Sequence, residues 1–226
     1  MAIDDSDYPG LRIAGEFGAV EQYLILLSEY LPMVREQTRL RSEMELERKY
    51  PKHSRVGFSD EYDQIKWVSD TLVPKFFLGS FVMVSWAAFE MASVEIATYV
   101  REKEKVRLQL SDLRSNGWEK LQLYLETVWN KEIAISDVDT NRIKKLQTVR
   151  NLLAHANGNL GFERDSKRRT EIQKLIESNV GVSLHENDIL VSENYLRESS
   201  RSLVAVINIL LEEIENRYGL KQIQQK

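Results

Sequence analysis

Residues 140–158 read TNRIKKLQTVRNLLAHANG. Leu146, Val149, Leu153 and Ala156 recur at steps of three and four, which at about 100° per residue lines them along one face of a helix. Asp137 and Thr140 are candidate caps for its start, and Asn157-Gly158 supplies the residue types that leave a helix through a left-handed conformation. Asn151 and His155, four apart, share a different side, so His155 points away from the apolar stripe of its own helix. Arg150 projects from the border of the two faces, and its long side chain reaches either one. A guanidinium, an amide and an imidazole are thereby gathered near one helix end. The spacing alone is a weak motif, equally met by a solvated Arg and a surface His, so the rest of the chain decides how to read it.

Upstream lies the most apolar stretch, PKFFLGSFVMVSWAAFEMASVEIATYVREKEK, residues 74–105. A helix apolar on most sides is expected at the centre of a fold. Glu90 stands there among Ala87, Ala88, Phe89 and Met91, where a buried carboxylate needs a partner. It either orients Arg150 or His155, or belongs to an ordinary interhelical salt bridge. Ser59 or Asp60 caps the segment before it, and Pro74 either opens a new helix or kinks a continuous one. Nearer the N-terminus, Phe17, Val20, Leu24, Leu27, Leu31 and Val34 predict a helix from Glu16 to about Tyr50, kinked or divided at Pro32. Beyond Val34 its face thins and charges alternate in RLRSEMELERKY, as in a solvated helix or one that meets a partner. Residues 50–57, with Pro51, His53 and Gly57, read as a loop.

A shorter helix is expected over 118–129, its aromatic residues sharing the leucine face rather than forming a base-stacking platform. After the 140–158 stretch, a basic helix runs from Asp165 to about Ser178 with Ile172, Leu175 and Ile176 inward. VGVSLHENDILVS, residues 180–192, alternates on both sides of Glu186-Asn187-Asp188 and predicts a short hairpin, with His185 exposed at its turn. The last helix, Glu193 to Tyr218, is stopped by Gly219. These patterns predict an all-α fold with a short β-hairpin before the C-terminal helix. Residues 1–15 are expected to form a flexible leader, 16–219 a single helical-bundle domain and 220–226 a tail.

With 226 residues, 42% hydrophobic and 29% charged, the chain can fill one core. It has no cysteine, which excludes disulfide staples, thiolate catalysis and Cys-based zinc sites and suits a cytoplasmic location. The start, MAIDDSDYPG, lacks the basic and apolar regions of a signal peptide, and Glu90 and Glu95 interrupt the most apolar run, so no membrane association is expected. A formal net charge of −4 argues against indiscriminate coating of nucleic acid. Positive charge is nevertheless concentrated around the motif, in Lys144, Lys145, Arg164, Lys167, Arg168 and Arg169, either as a nucleic-acid contact or as a solvated face. The three histidines are scattered, and H-E-x-x-H, P-loop and Rossmann patterns are absent, so neither a metal nor another cofactor is expected.

A long apolar helix containing SWAAFE, a helix ending RNLLAH, and an amphipathic helix closing the chain after the hairpin GVSLHENDILVS together resemble the HEPN superfamily of helical bundles. The resemblance runs from about Ser59 onward. The family's signature, an Arg, a polar residue, three further positions and a His, is matched by Arg150, Asn151 and His155. The resemblance implies a metal-independent endoribonuclease, a toxin or antiviral defence effector, acting as a homodimer in which both motif helices meet at the two-fold axis and share an active site. His155 would move protons, Arg150 would hold the phosphate, Asn151 would position one of them, and the basic residues would bind RNA. The product would carry a 2′,3′-cyclic phosphate. An antitoxin or defence-system partner is also implied. Some toxin members carry a Tyr two positions after the His; here that position is Asn157, so control by modification of that residue is not expected. The alternative expectation is a non-catalytic HEPN-type helical interaction module that binds a partner protein or nucleotide.

Overall fold

Leucine and charged residues at helical spacing make α1 (Gly10–Lys49) one helix of 40 residues, begun six positions before Glu16. Ile13 is fully buried, so 10–15 belong to a packed helix rather than to a leader. Pro32 lies within α1 without dividing it. The structure, a computed structural model, describes residues 8–51, 55–114, 117–178 and 180–220. His53, residues 1–7 of the expected leader and residues 221–226 of the expected tail lie outside them.

Past a 3-10 turn, α2 (Ser59–Trp67), a π-helical segment (Val68–Leu72) and α3 (Val73–Glu104) follow without a break. Pro74 accounts for the widened turn. It has no N–H and its ring crowds the carbonyl four residues back, and immediately before it the Val73 N–H bonds to the Val68 carbonyl, five residues back. By length and composition, Ser59–Glu104 is the one helix among the described residues that could cross a membrane, and 44% of its most apolar window is buried inside the structure. Then come α4 (Glu119–Trp129), α5 (Asp137–Ala156), α6 (Ser166–Glu177), the strands β1 (Val182–His185) and β2 (Asp188–Val191), and α7 (Glu193–Tyr218). The strands pair antiparallel, Val182 opposite Val191 and His185 opposite Asp188, around the two-residue turn Glu186-Asn187. The fold is all-α with a short hairpin before the C-terminal helix.

The chain divides into two compact units, to both of which α1, α3, α5 and α7 contribute segments. The first comprises Met1–Glu21, Val84–Gln147 and Glu198–Lys226. Its core holds Trp86, Phe89, Ile96, Tyr124, Leu125, Ile143 and Leu203, each no more than 2% exposed. Polar ties brace it: Arg142 pairs with Glu198 at 2.8 Å, and Glu104 Oε1 accepts from Arg217 Nε at 2.6 Å and from the Tyr218 hydroxyl at 2.9 Å. The bond from Arg217 holds the Glu104 carboxyl below its usual range, while burial and the bond to Glu104 push the Tyr218 hydroxyl up to about 12. A lowered carboxylate pKa in the folded state stabilises above the ordinary carboxylate range and loses that contribution as pH falls through the lowered value. Glu104→Gln is therefore expected to cost about 0.5 kcal/mol at neutral pH, the modest size set by the partial exposure of the pair, and less once the pH falls through the lowered value. Urea titrations of both proteins at the two pH values measure the difference.

The second unit comprises Gln22–Met83 and Thr148–Arg197. Leu24, Leu27, Leu31, Leu78, Phe81, Val149, Leu152, Ile172 and Ile189 fill its core. The Arg35 guanidinium meets Asp70 at 2.8 Å and lowers that carboxyl, and the hydroxyls of Tyr23 and Ser80 are 2.8 Å apart.

Candidate functional site

The motif helix begins at Asp137 and is capped by Ser136, not by either expected cap. The Ser136 hydroxyl oxygen accepts from the Asp139 N–H at 3.1 Å and its proton goes to Asp139 Oδ2 at 2.6 Å, while Asp137 and Thr140 already lie in the first turn of α5. Ile143, Leu146, Val149, Leu152 and Ala156 form the buried stripe. Leu152 thus takes the place expected of Leu153, which is half-buried, because the stripe keeps steps of three until its last residue. The helix ends as its sequence predicts: Asn157 and Gly158 have φ of 49° and 70°, and the Gly158 N–H reaches back to the Leu152 carbonyl at 3.1 Å.

Arg150 and Asn151 are half-buried and joined, Arg150 Nη1 donating to Asn151 Oδ1 at 3.1 Å. That bond uses the amide's acceptor and leaves its NH2 as a donor. His155, one turn later on the side of Asn151, is exposed and its imidazole hydrogen-bonds none of the described residues. The end of α5 therefore carries a guanidinium bonded to an amide and, one turn later, an exposed imidazole able to donate or accept.

The segment leaving His155 is tied to the hairpin. The Ile189 N–H donates to the Gly158 carbonyl at 2.8 Å, the Leu160 N–H donates to the Asn187 carbonyl at 2.7 Å, and Asn159 forms an antiparallel bridge with Asp188. Asp188 Oδ1 accepts from Lys75 Nζ at 2.7 Å and from Asn159 Nδ2 at 3.0 Å, with Lys75 and Asp188 both buried. A buried ion pair thus fixes the backbone three to five residues after His155. Sequence reading missed both partners: Lys75 sits in an apolar run and Asp188 in what reads as a turn. The signal available was a lysine inside the most apolar stretch, where burial demands a counter-charge.

Gly158 is constrained twice, by its positive φ and by Leu153 Cδ2, Lys75 Cε and Ile189 Cγ2, which would lie 3.0, 3.1 and 3.2 Å from an added Cβ. Gly158→Ala is expected to cost about 1–3 kcal/mol in denaturant unfolding, the combined effect of backbone strain and crowding.

The expected RNA-binding bases divide. Arg164 and Lys167 are exposed and their side chains pair with none of the described residues. Arg168 lies 3.9 Å from both Glu163 and Asp165, and Arg169 donates from Nε and Nη2 to the Leu160 carbonyl at 3.3 and 3.2 Å, a strap for the loop rather than a free cation. The N-terminus of α6 is occupied by its own cap, Asp165 Oδ1 accepting from the N–H groups of Lys167 and Arg168. Lys144, which pairs with Glu119 at 2.9 Å, and half-buried Lys145 belong to the first unit.

Glu90 corrects the expectation of a buried carboxylate. It is exposed, as are Ala87 and Met91, and it accepts from Trp86 Nε1 at 2.8 Å. The side of α3 carrying Met83, Val84, Met91 and Val94 faces solvent, so α3 is not buried all round. Glu90 belongs to the first unit, Arg150, Asn151 and His155 to the second. One cleft in the first unit lies beside Thr98, Arg101 and Lys120 and another beside Glu126, Glu132 and Thr140; neither of these holds a motif residue. Comparison with family models, curated proteins and solved structures finds no match to this chain.

Proposed function

We propose that the chain is a metal-independent endoribonuclease that cleaves RNA by attack of the substrate's own 2′-hydroxyl, working as a homodimer in toxin or antiviral defence. The observation that carries this reading is the end of α5, where exposed His155, bonded to none of the described residues, stands one turn beyond the bonded pair Arg150–Asn151. RNA supplies its nucleophile, so the enzyme need only move protons and stabilise the charge that develops on phosphorus. An imidazole, whose ordinary titration lies near neutrality, suits proton transfer. The Arg150 guanidinium supplies positive charge for a phosphate, and the Asn151 amide NH2 supplies a donor. Exposed Arg164 and Lys167 add positive charge in the same unit for the RNA backbone. A second copy would contribute a second imidazole, separating the acceptor of the 2′-hydroxyl proton from the donor to the leaving oxygen. Glu90 has no assigned part in this chemistry.

An RNA substrate with a single 2′-deoxy position tests the reading. Cleavage is expected to vanish at that position alone and, elsewhere, to leave 2′,3′-cyclic phosphate ends. Persistent cutting at the deoxy position would mean that water attacks and would remove the mechanism.

A helical interaction module that cleaves nothing is the second reading. The exposed apolar side chains of Val84, Met91 and Val94 on α3 favour it. It predicts no cleavage traceable to His155 on any RNA.

A further inference from the structure

The second half of α1 carries two apolar stripes. One, Leu24, Leu27 and Leu31, is buried in the second unit. The other, Leu26, Tyr30, Met33, Gln37, Leu40 and Met44, advances by 4, 3, 4, 3 and 4 residues and faces solvent, its five apolar members 46–67% exposed. Strict alternation of three and four is the seam of a coiled coil, with Leu26, Met33 and Leu40 at d and Tyr30, Gln37 and Met44 at a. An amphipathic helix needs only its buried stripe, so the second one lacks a role within the second unit.

We propose that this seam pairs with the same seam of a second copy of the chain, the two α1 helices lying parallel and in register. The flanking charges select both partner and direction. The g positions preceding the a residues are Glu29, Glu36 and Glu43; the e position after Leu40 is Arg41, and the e position after Glu47, at the next d beyond the apolar seam, is Arg48. A parallel pair sets each g residue against the e residue five positions later in its partner, which gives Glu36 opposite Arg41 and Glu43 opposite Arg48, twice by symmetry. An antiparallel pair would instead set Glu36 against Glu36 and Glu29 against Glu43. Glu36 already bonds Arg39 of its own helix at 2.7 Å, an exposed contact that holds the carboxylate at the seam's edge without burying it. Gln37 at a central a position is the polar residue that fixes register at some cost in affinity.

Size is adequate for a reversible dimer. The five apolar side chains expose about 500 Å² per copy, so the seam alone buries roughly 1,000 Å², at the low end of specific interfaces. A seam of about three heptads is too short to fold by itself, but here α1 is already formed within a folded chain, so the nucleation cost falls on the monomer. The surface shares no residue with the motif, and the inference stands whether or not RNA is the substrate.

The chain contains no cysteine, so one can be placed at will. Gln37→Cys brings two thiols into one a layer of the parallel dimer, within disulfide reach. Mild oxidation is expected to give a covalent dimer in high yield, and sedimentation of the wild type is expected to show a concentration-dependent dimer. Met33→Glu combined with Leu40→Glu should raise its dissociation constant more than about tenfold, with helicity unchanged, and with an unchanged melting temperature at concentrations where the wild type is monomeric, because both residues are exposed. A monomer at every soluble concentration would overturn the proposal. So would a dimer indifferent to the two Glu substitutions, or linkage that requires Met33→Cys together with Gln37→Cys, the antiparallel result.

Discussion

Lys75→Met is expected to destabilise the protein by about 3–5 kcal/mol, because it leaves the buried Asp188 carboxylate without its counter-charge. Asn159 would still donate to that carboxylate, but an amide offsets little of a buried charge. The double variant Lys75→Met with Asp188→Asn removes both charges, keeps an acceptor for Asn159, and should recover most of the loss. Denaturant unfolding of the two singles and the double closes this cycle. Amide exchange supplies a local readout: the Leu160 and Ile189 N–H groups, which bond across to Asn187 and Gly158, should lose protection in Lys75→Met and regain it in the double. A cost below about 1 kcal/mol for the single would show that the pair does not hold the segment after His155.

His155→Ala and Arg150→Ala are each expected to slow RNA cleavage by a factor on the order of 10³, the range of a lost general acid–base group or of a lost donor to developing charge. Stability should respond differently in the two. His155 is exposed and bonds none of the described residues, so its removal should leave the melting temperature within about 1 °C of wild type, as surface substitutions generally do. Arg150 is half-buried and bonds Asn151, so a modest loss of stability is expected with Arg150→Ala. Arg150→Lys keeps the charge but not the fork, and should restore folding more fully than activity. Single-turnover rates measured beside thermal melts separate the two effects. A His155→Ala protein that melts far below wild type would move His155 from chemistry to packing.

Local chemistry was legible in the sequence, and long-range chemistry was not. The end of α5 is written in Asn157-Gly158, since few residues take positive φ cheaply, and the hairpin is written in the alternation on both sides of Glu186-Asn187-Asp188, although Asp188 itself pairs in β2 rather than turning. The positions of Asn151 and His155 away from the buried stripe follow from 3.6 residues per turn. The Lys75–Asp188 pair joins residues 113 apart, and neither partner has a local pattern announcing the other. Glu90 reads as buried because its sequence neighbours are apolar, yet only three-dimensional packing decides which side of an apolar helix is covered, and here the covered side is that of Phe89, Ala92 and Ile96. Lys167, Arg168 and Arg169 form one basic run in sequence. In the fold, Lys167 pairs with none of the described residues, while Asp165 and the Leu160 carbonyl engage the other two.

The most direct test of the account is incubation of the purified protein with structured and unstructured RNAs in excess EDTA, beside His155→Ala prepared identically as a control for contaminating nucleases. The account predicts cleavage by the wild type alone. Equal cleavage by both proteins, or by neither across the panel, would contradict it and leave the end of α5 as a surface feature of a binding protein.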